Sequence, residues 1–252
     1  MEQNCEWSVI SIRFELDDWI VLKKIFMNIN EIIDEIVIEC NPEGLKFNAL
    51  DRSHICFFEC NIPQKSFDKY EIDKILLLYI DVNELVKVLK RGNNKDSLIF
   101  KANNETFDII FKNENTRTFS ITQIDMNDSS RNFPNMDFAV DFECDYDLIV
   151  NSLKDADLYS DRLTFTCEDN SLVLSCEGSF GKYKNECQLE NFVDGRYSAS
   201  YGINWLFKIF NNKLSSDNVK ISMGNDYPML VKTEKDFIKL NYLIAPRIDE
   251  GE

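Results

Sequence analysis

Few residues in this sequence have the types and spacing that catalysis requires. His54 is the single histidine among 252 residues, so any Ser-His or Cys-His catalytic pair would have to use it. Nothing near His54 in the sequence marks a nucleophile. Asp17 with Asp18, or Asp155 with Asp157, could act as acid and base, but helix caps and solvated charges are the simpler interpretation in so acidic a chain. These residues argue against an enzyme.

The motifs that hold phosphates, metals or activated nucleophiles are also absent from the sequence. It contains no G-x-x-x-x-G-K-[ST], G-x-G-x-x-G, G-x-S-x-G or H-E-x-x-H pattern. The segment GSFGK from Gly178 is too short to cradle phosphates. With one histidine and no C-x-x-C pair, a zinc site is not expected. We therefore expect no bound metal and no cofactor.

The cysteines are better suited to a core than to chemistry. There are eight in the chain, and most fall at inward positions of alternating strand patterns. Because the N-terminus has no basic segment followed by an apolar run, no secretion signal is evident. We expect buried, reduced thiols. The inward positions are Cys40, Cys56, Cys60, Cys167 and Cys176.

The charge balance limits the partners of this protein. The chain has 28 Lys and Arg residues against 44 Asp and Glu residues, a formal net charge of −16. An average patch of such a surface repels nucleic acids and anionic membranes, so any DNA-binding surface must segregate its basic residues. No apolar run approaches the roughly 18 residues of a membrane span. A soluble intracellular protein is expected.

Four segments have apolar residues at helical spacing, and each places at least one cation opposite its apolar stripe. The predicted helices cover residues 17–29, 83–91, 147–157 and 204–211. A polar outer face is ordinary for a surface helix. Its repetition as lysine in every helix of an acidic protein is the unusual feature. The cations are Lys23, Lys24, Lys87, Lys90, Arg91, Lys154 and Lys208.

The second half of the chain repeats the plan of the first. DEIVIECNPEGLKFNA from Asp34 aligns without a gap on DRLTFTCEDNSLVLSC from Asp161. VNELVKVL from Val82 likewise matches INWLFKIF from Ile203. Self-similarity at about half the chain length predicts two domains of one fold.

Each half is expected to end in an edge strand, at about residues 116–123 and 178–188. Edge strands left open invite pairing with another chain, and head-to-tail pairing closes a ring. The apolar residues expected at this joint are Phe119, Ile121, Phe180 and Tyr183.

Residues 123–138 join the two halves without a sustained helical or strand period. Their Asn, Asp, Ser and Pro content favours turns, but Met126, Phe133 and Phe138 interrupt the polarity. Loops of this length are uncommon unless they are functional or disordered, so a functional surface and an ordinary linker both stay open. The predicted division is 1–122, the connector 123–138, and 139–252.

Four motifs in this order resemble the DNA sliding clamps of the proliferating cell nuclear antigen type, which occur in archaea, eukaryotes and some viruses. They are GLKFNALDRSH from Gly44, VNELVKVLKR from Val82, TRTF from Thr116 and LIAPRID from Leu243. The similarity covers essentially the whole chain. It implies an α+β protein of two similar clamp domains, with helices lining the inner face of a ring and antiparallel sheets outside.

The resemblance also implies a non-catalytic DNA polymerase processivity factor. Such a clamp is a homotrimer that encircles duplex DNA without sequence specificity and tethers DNA polymerase, clamp loader and repair proteins. It would be cytoplasmic in an archaeon and nuclear in a eukaryote. Lys87 and Lys90 match basic positions of the family's inner wall, and Lys154 and Lys208 are similarly placed. Lys23, Lys24 and Arg91 join them on helix phase alone.

A partner pocket follows from the same resemblance. Partners insert a short peptide motif with Gln, an aliphatic residue and two adjacent aromatic residues. The residues that match the pocket are Leu50, Phe133, Pro228, Ile244 and Pro246, and those added to the same surface are His54, Met126 and Leu243. Two departures affect grip and partner preference: Asn151 stands where many relatives have a basic residue, and Arg131 replaces an apolar connector residue.

Two rival interpretations stay open at this point. One is a clamp-related subunit of a heterotrimer or checkpoint-type ring, or a viral processivity factor of another stoichiometry. The other is an enzyme, which would need a catalytic constellation that the sequence does not display.

Overall fold

The computed structural model describes residues 12–103, 106–125, 133–190, 193–210, 213 and 217–248. The chain divides into two units, one of Met1–Asn48 and Asn61–Ser130 and the other of Ala49–Cys60 and Arg131–Glu252. The break after Ser130 falls inside the predicted connector. The short segment Ala49–Cys60 belongs to the second unit, which the sequence repeat did not indicate.

The first unit begins with one strand and one helix. Five further strands precede its second helix, and three strands follow that helix. Its elements are β1 (Ile12–Leu16), α1 (Ile20–Asn30), β2 (Glu35–Asn41), β3 (Gly44–Leu50), β4 (Cys56–Pro63), a 3-10 turn (Gln64–Ser66), β5 (Lys69–Ile72), β6 (Leu76–Asp81), α2 (Val82–Leu89), β7 (Ser97–Ala102), β8 (Thr106–Lys112) and β9 (Thr116–Thr122). The end of β3 and most of β4 are counted with the second unit.

The second unit has the same order with one strand fewer before its second helix. Its elements are β10 (Val140–Asp145), α3 (Tyr146–Ala156), β11 (Arg162–Glu168), β12 (Ser171–Gly178), β13 (Gly181–Gln188), β14 (Tyr197–Gly202), α4 (Ile203–Phe210), β15 (Asn218–Met223), β16 (Met229–Lys235) and β17 (Ile238–Ile244). None of the helices in the described ranges has both the length and the apolar character of a membrane span.

Antiparallel sheets make up both units. In the first, β5-β1-β7-β8-β9 form one sheet, and β3-β2-β6 pair antiparallel in another. In the second, β13-β12-β11-β14 form one sheet. The strands β10-β15-β16-β17 pair antiparallel, and β4 lies next to β17. The predicted mixture of helices and antiparallel sheets is confirmed.

The predicted repeat is confirmed down to single hydrogen bonds. β2 and β11 occupy matching positions of the first aligned block, and α2 and α4 occupy matching positions of the second. The Val82 N–H donates to the Asp34 carbonyl at 2.7 Å, and the Ile203 N–H donates to the Asp161 carbonyl at 2.9 Å. The two aligned blocks therefore meet in the same way in each unit, at the start of the second helix.

The inward cysteine positions are also confirmed. Cys40, Cys56, Cys60, Cys167 and Cys176 are all buried and free. Burial raises the pKa of the Cys40 and Cys167 thiols to about 12. Thiols of this kind stay protonated at neutral pH and act as small apolar residues of the core.

The start predicted for the first helix is wrong. α1 begins at Ile20, so Asp17 and Asp18 lie outside it and no acidic residue stands in its first turn. The Asp17 N–H donates to the Asp68 carboxylate at 2.7 Å, and its own carboxylate accepts from the Ser97 hydroxyl at 2.6 Å. These long-range bonds hold the chain in an irregular link after β1, which local sequence signals cannot reveal.

Candidate functional site

The α2 helix presents the most exposed group of predicted cations. The Asp81 carboxylate caps its start by accepting from the Asn83 and Glu84 N–H groups at 2.8 and 3.2 Å. Its apolar face is buried, whereas Lys87, Lys90 and Arg91 are exposed. The apolar face consists of Val82, Leu85, Val86 and Leu89.

A carboxylate lies close to one of these cations, Lys87. The Lys87 ammonium lies 2.6 Å from the Glu84 carboxylate, one turn back on the same exposed face. The hydrogen bond to Glu84 raises the pKa of Lys87. Lys87 therefore stays charged, but its ammonium is already paired with Glu84. A phosphate at this place would have to compete with that carboxylate.

The end of α2 is fastened by Asp96 and Arg117. The Arg117 guanidinium donates to the carbonyl of Arg91 at 3.1 Å and to the Asp96 carboxylate at 2.5 Å. Asp96 is buried, and its backbone carbonyl accepts from the indole N–H of the fully buried Trp19 at 2.8 Å. The backbone that carries Lys90 and Arg91 is therefore fixed to the core of the first unit.

The α1 helix packs against α2, and its cations are less exposed than those of α2. Lys23 and Lys24 are both half-buried. The Lys23 ammonium lies 5.5 Å from the centroid of the Trp19 ring. These two lysines add positive charge near α2, but their half-buried side chains extend less far into solvent.

In the second unit, α3 and α4 pack together and differ in how they present lysine. Lys154 is exposed in the last turn of α3, and Asn151 is exposed one turn earlier. Lys208, in the last turn of α4, is half-buried, with its ammonium 4.3 Å from the centroid of the Trp205 ring. The sequence did not distinguish these two environments.

An apolar cluster in the second unit gathers part of the predicted pocket. Phe57, Leu230 and Leu243 form its buried base, and four partly buried residues pack on them. We call these seven residues the Phe57 cluster. The ring of Phe133 meets that of Phe57 edge to face, with centroids 5.2 Å apart. The partly buried members are Leu50, Phe133, Met136 and Phe138.

Three members of the predicted pocket, Leu50, Phe133 and Leu243, thus lie together. Ile244 is fully buried, because strand alternation turns it to the face opposite Leu243. Pro228 and Pro246 are half-buried and outside the cluster. Met126 and Arg131 lie outside the described residues.

Sequence reasoning missed Phe57, Leu230 and Met136. A signal for the first two exists: each is the middle of three consecutive apolar residues in a strand, CFF in β4 and MLV in β16. Such a run makes a strand apolar on both faces. Leu230 and Leu243 are then direct cross-strand partners, so the second apolar face is shared by neighbouring strands.

A turn fixed by Asp51 follows Leu50. The buried Asp51 carboxylate accepts from the N–H groups of Ser53, Ile55 and Cys56, each at 2.6 Å. Within this turn His54 is exposed and has a left-handed backbone, with φ of 59°. The Asp51 carboxylate therefore holds His54 at the surface near Leu50 and Phe57. The sequence motif contains Asp51, but the motif alone does not show this role.

The chain after β17 is tied to two neighbours. The Ala245 N–H donates to the Ile55 carbonyl at 2.9 Å, beside the Asp51 turn. The Arg247 N–H donates to the Ser200 carbonyl at 2.7 Å, and its guanidinium lies 2.5 Å from the Asp161 carboxylate. Pro246 is thereby held between two anchored residues.

The predicted edge strands are edges in the structure. β9 closes the five-stranded sheet of the first unit, and β13 closes the four-stranded sheet of the second. Phe119, Ile121 and Tyr183 are half-buried on these strands. Phe180, in the turn before β13, is 97% exposed. Among the residues that the structure describes, no three His, Cys, Asp or Glu side chains form a group suited to a metal ion.

Comparison with known proteins agrees with this geometry. Residues 12–132 match the family described as proliferating cell nuclear antigen, N-terminal domain. The DNA polymerase sliding clamp of Methanothermobacter thermautotrophicus is 31% identical over 94% of this chain and 98% of its own length. That of Methanobrevibacter smithii is 28% identical over 94% of this chain and 98% of its own length.

Two solved structures share the fold. The proliferating cell nuclear antigen of Thermococcus kodakarensis superposes with a TM-score of 0.87 and 23% identity, over 94% of this chain and all of its own. That of Entamoeba histolytica gives a TM-score of 0.88 and 19% identity, over 95% of this chain and all of its own. The chain belongs to the DNA polymerase sliding clamp family, the family of proliferating cell nuclear antigen.

Proposed function

We propose that this chain is a DNA polymerase processivity factor that encircles duplex DNA and tethers replication and repair proteins to it. The observation that carries the proposal is an exposed lysine in the last turn of both α2 and α3 on a chain of net charge −16. An ammonium group offers charge without a planar pattern for a base edge, so it suits phosphates of any sequence.

The cations that contact DNA are exposed in each unit: Lys87, Lys90 and Arg91 at α2 in the first, and Lys154 on α3 in the second. Lys23 and Lys24 on α1 add to the positive electrostatic potential of the first unit. Such binding is weak and falls steeply with salt, because each phosphate contact releases counterions. A weak grip is what sliding along a duplex requires. Lys208 is not counted among these DNA-binding cations, because its ammonium lies over the ring of Trp205.

The ring is a homotrimer closed head to tail, with β9 of one copy beside β13 of the next. Both strands carry unpaired backbone groups along one side, and each offers half-buried or exposed apolar residues. Phe119 and Ile121 meet Phe180 and Tyr183 at this joint. The number three is part of this proposal and is what the resemblance to the family implies.

Partner proteins insert their peptide motif at the Phe57 cluster, beside the Asp51 turn and the anchored Pro246. Phe133 and Phe138 belong to the connector, which divides the chain into 1–122, 123–138 and 139–252. Aromatic anchors of a peptide gain most of their binding energy from a few buried contacts of this kind. DNA polymerase and the clamp loader are the first partners expected. The protein has no catalytic role of its own.

Primer extension tests this proposal. With the polymerase and loader of the same genome, the purified protein should lengthen the products made in a single binding event on primed circular DNA. Mass measurement of the protein alone distinguishes a homotrimer from a subunit that needs a second clamp-like chain. Unchanged product length with a correctly loaded trimer would contradict the proposal. Turnover of a substrate by the isolated protein would instead support an enzyme.

A further inference from the structure

Trp205 and Lys208 form a preorganised pair on α4. They are separated by one helical turn, both are half-buried, and the ammonium lies 4.3 Å from the ring centroid. A cation over the face of Trp is attracted by the ring quadrupole. This attraction limits the rotamers of Lys208 while leaving N–H donors available to another group.

Arg247 lies beside this pair, across Gly202. A Cβ atom at Gly202 would lie 3.5 Å from Nε of Arg247 and 3.6 Å from Cδ1 of Trp205. The guanidinium and the indole therefore lie on the same side of Gly202, which is itself buried. Arg247, Trp205 and Lys208 form one contiguous patch within the second unit, which we call the α4 basic patch.

The patch has binding capacity that the protein itself does not use. Arg247 directs one terminal nitrogen at Asp161, but a guanidinium has five N–H donors. Lys87 and Lys213, by contrast, lie within ion-pair distance of carboxylates. Among the residues that the structure describes, no carboxylate lies within that distance of the Lys208 ammonium. A positive patch on a chain of net charge −16 favours an anionic partner.

The patch adjoins the proposed peptide-binding surface. Arg247 follows Pro246 directly, and the preceding Ala245 is bonded to Ile55 in the Asp51 turn. Burial raises the pKa of Cys56 to about 12, and the positive charge of Lys208 opposes that rise. The ammonium therefore acts on the first residue of β4, immediately before Phe57.

We infer that the α4 basic patch binds carboxylate groups of an acidic segment that flanks the anchor motif of a partner peptide. The inference rests on the proposed peptide pocket and adds a chemical requirement on the partner. Carboxylates of the flank can accept from Lys208 and from Arg247, and charge-assisted bonds of this type are stronger than neutral ones. Partners with an acidic flank are therefore selected over partners with the same anchors and a neutral flank.

Titration of two fluorescent peptides tests this inference on the intact protein. Both carry the anchor motif, and one has three Asp or Glu residues in a flank where the other has Asn or Gln. At low salt the acidic peptide should bind about fivefold more tightly, and the preference should shrink as salt is raised. Lys208→Gln and Trp205→Leu should each remove the preference and leave the neutral peptide's affinity unchanged. Lys154→Gln, on the neighbouring helix, should keep the preference.

Several results would overturn the inference. Equal affinity of the two peptides for the unmodified protein would do so while leaving the proposed pocket intact. So would an unchanged preference in Lys208→Gln, or a loss of neutral-peptide affinity in that variant. A drop in DNA binding by Lys208→Gln as large as that by Lys154→Gln, with the peptide preference kept, would assign Lys208 to DNA instead. Absence of binding by either peptide would refute the pocket itself.

Discussion

Arg117 on β9 binds the buried carboxylate of Asp96 at 2.5 Å while its other terminal nitrogen donates to the carbonyl of Arg91 at 3.1 Å. One side chain therefore connects the edge strand of the first unit with the end of the helix that carries Lys87 and Lys90. A backbone N–H of Asn93, followed by the charge of Arg117, lowers the pKa of Asp96. Asp96 is thus an ionised group that supports the α2 terminus.

The ionised state of Asp96 predicts a pH-dependent stability. Asp96→Asn should lower the free energy of unfolding at pH 7 by about 2 kcal/mol, because charge-assisted hydrogen bonds are lost. A lowered folded pKa means that the carboxylate stabilises the protein fully above its ordinary pKa of 3.8 and loses this effect as pH falls further. The gap between wild type and variant in urea unfolding should therefore close towards pH 3. A gap that is constant with pH would contradict the assignment, and Glu114→Gln, an exposed change, is the control.

Assembly should depend on Phe180. Because this side chain is 97% exposed in the single chain, Phe180→Asp should leave the fold intact and introduce a charge at the proposed joint. Light scattering at micromolar concentration should show a trimer for the wild type and monomer for the variant. Ile75→Asp changes another exposed apolar residue, 62% exposed and outside β9 and β13, and should remain trimeric. A trimeric Phe180→Asp protein would remove Phe180 from the interface.

Processivity should depend on the exposed lysines of α2. The double change of Lys87 and Lys90 to Ala should shorten primer-extension products and leave the oligomer mass unchanged. It should also reduce the slope of log affinity for DNA against log salt by about 2, one for each phosphate contact. Changing two exposed strand lysines, Lys46 and Lys101, to Ala is the matched control. Full processivity of the α2 variant at physiological salt would refute the assignment.

Peptide binding should depend on Phe133. Phe133→Ala removes the ring that packs edge to face on Phe57 and should cost about 2 kcal/mol, or roughly 30-fold in affinity. Pro246→Ala should also weaken binding. Phe237→Ala, an aromatic change in the same unit outside the Phe57 cluster, should bind as wild type does. Equal affinity of both variants and wild type, with trimer mass retained, would exclude the cluster as the pocket.

Asp51 should stabilise both the fold and the pocket. Asp51→Ala leaves three backbone N–H groups without their acceptor and should cost about 3 kcal/mol in urea unfolding. Asp51→Asn keeps one oxygen acceptor and should cost less. Both variants should lose peptide affinity in the same order, because the turn that carries His54 lies beside Leu50 and Phe57. Unaltered peptide binding by a destabilised Asp51→Ala protein would limit its role to the fold.

The sequence by itself determined the repeated architecture. Strand and helix periods depend on which face of a local segment is apolar, so β2 and β11, or α2 and α4, could be matched from residue types alone. The polarity of α2 was determined in the same way, because Lys87 and Lys90 are out of phase with Leu85 and Leu89. The edge strands β9 and β13 were also predicted, although only β9 stands at the end of its half, because β14 to β17 follow β13.

Contacts between distant segments were decided only by the tertiary structure. The Phe57 cluster joins residues from β4, the connector, β16 and β17, and no local pattern states which strands become neighbours. The sequence analysis also assigned Leu243 and Ile244 to one surface, whereas the alternation of side chains along β17 turns them to opposite faces. Long-range hydrogen bonds of Asp17 likewise hold the irregular link that precedes α1. Lys208 had the helical phase of a free surface lysine, and only the packed position of Trp205 beside Gly202 and Arg247 showed where its charge is held.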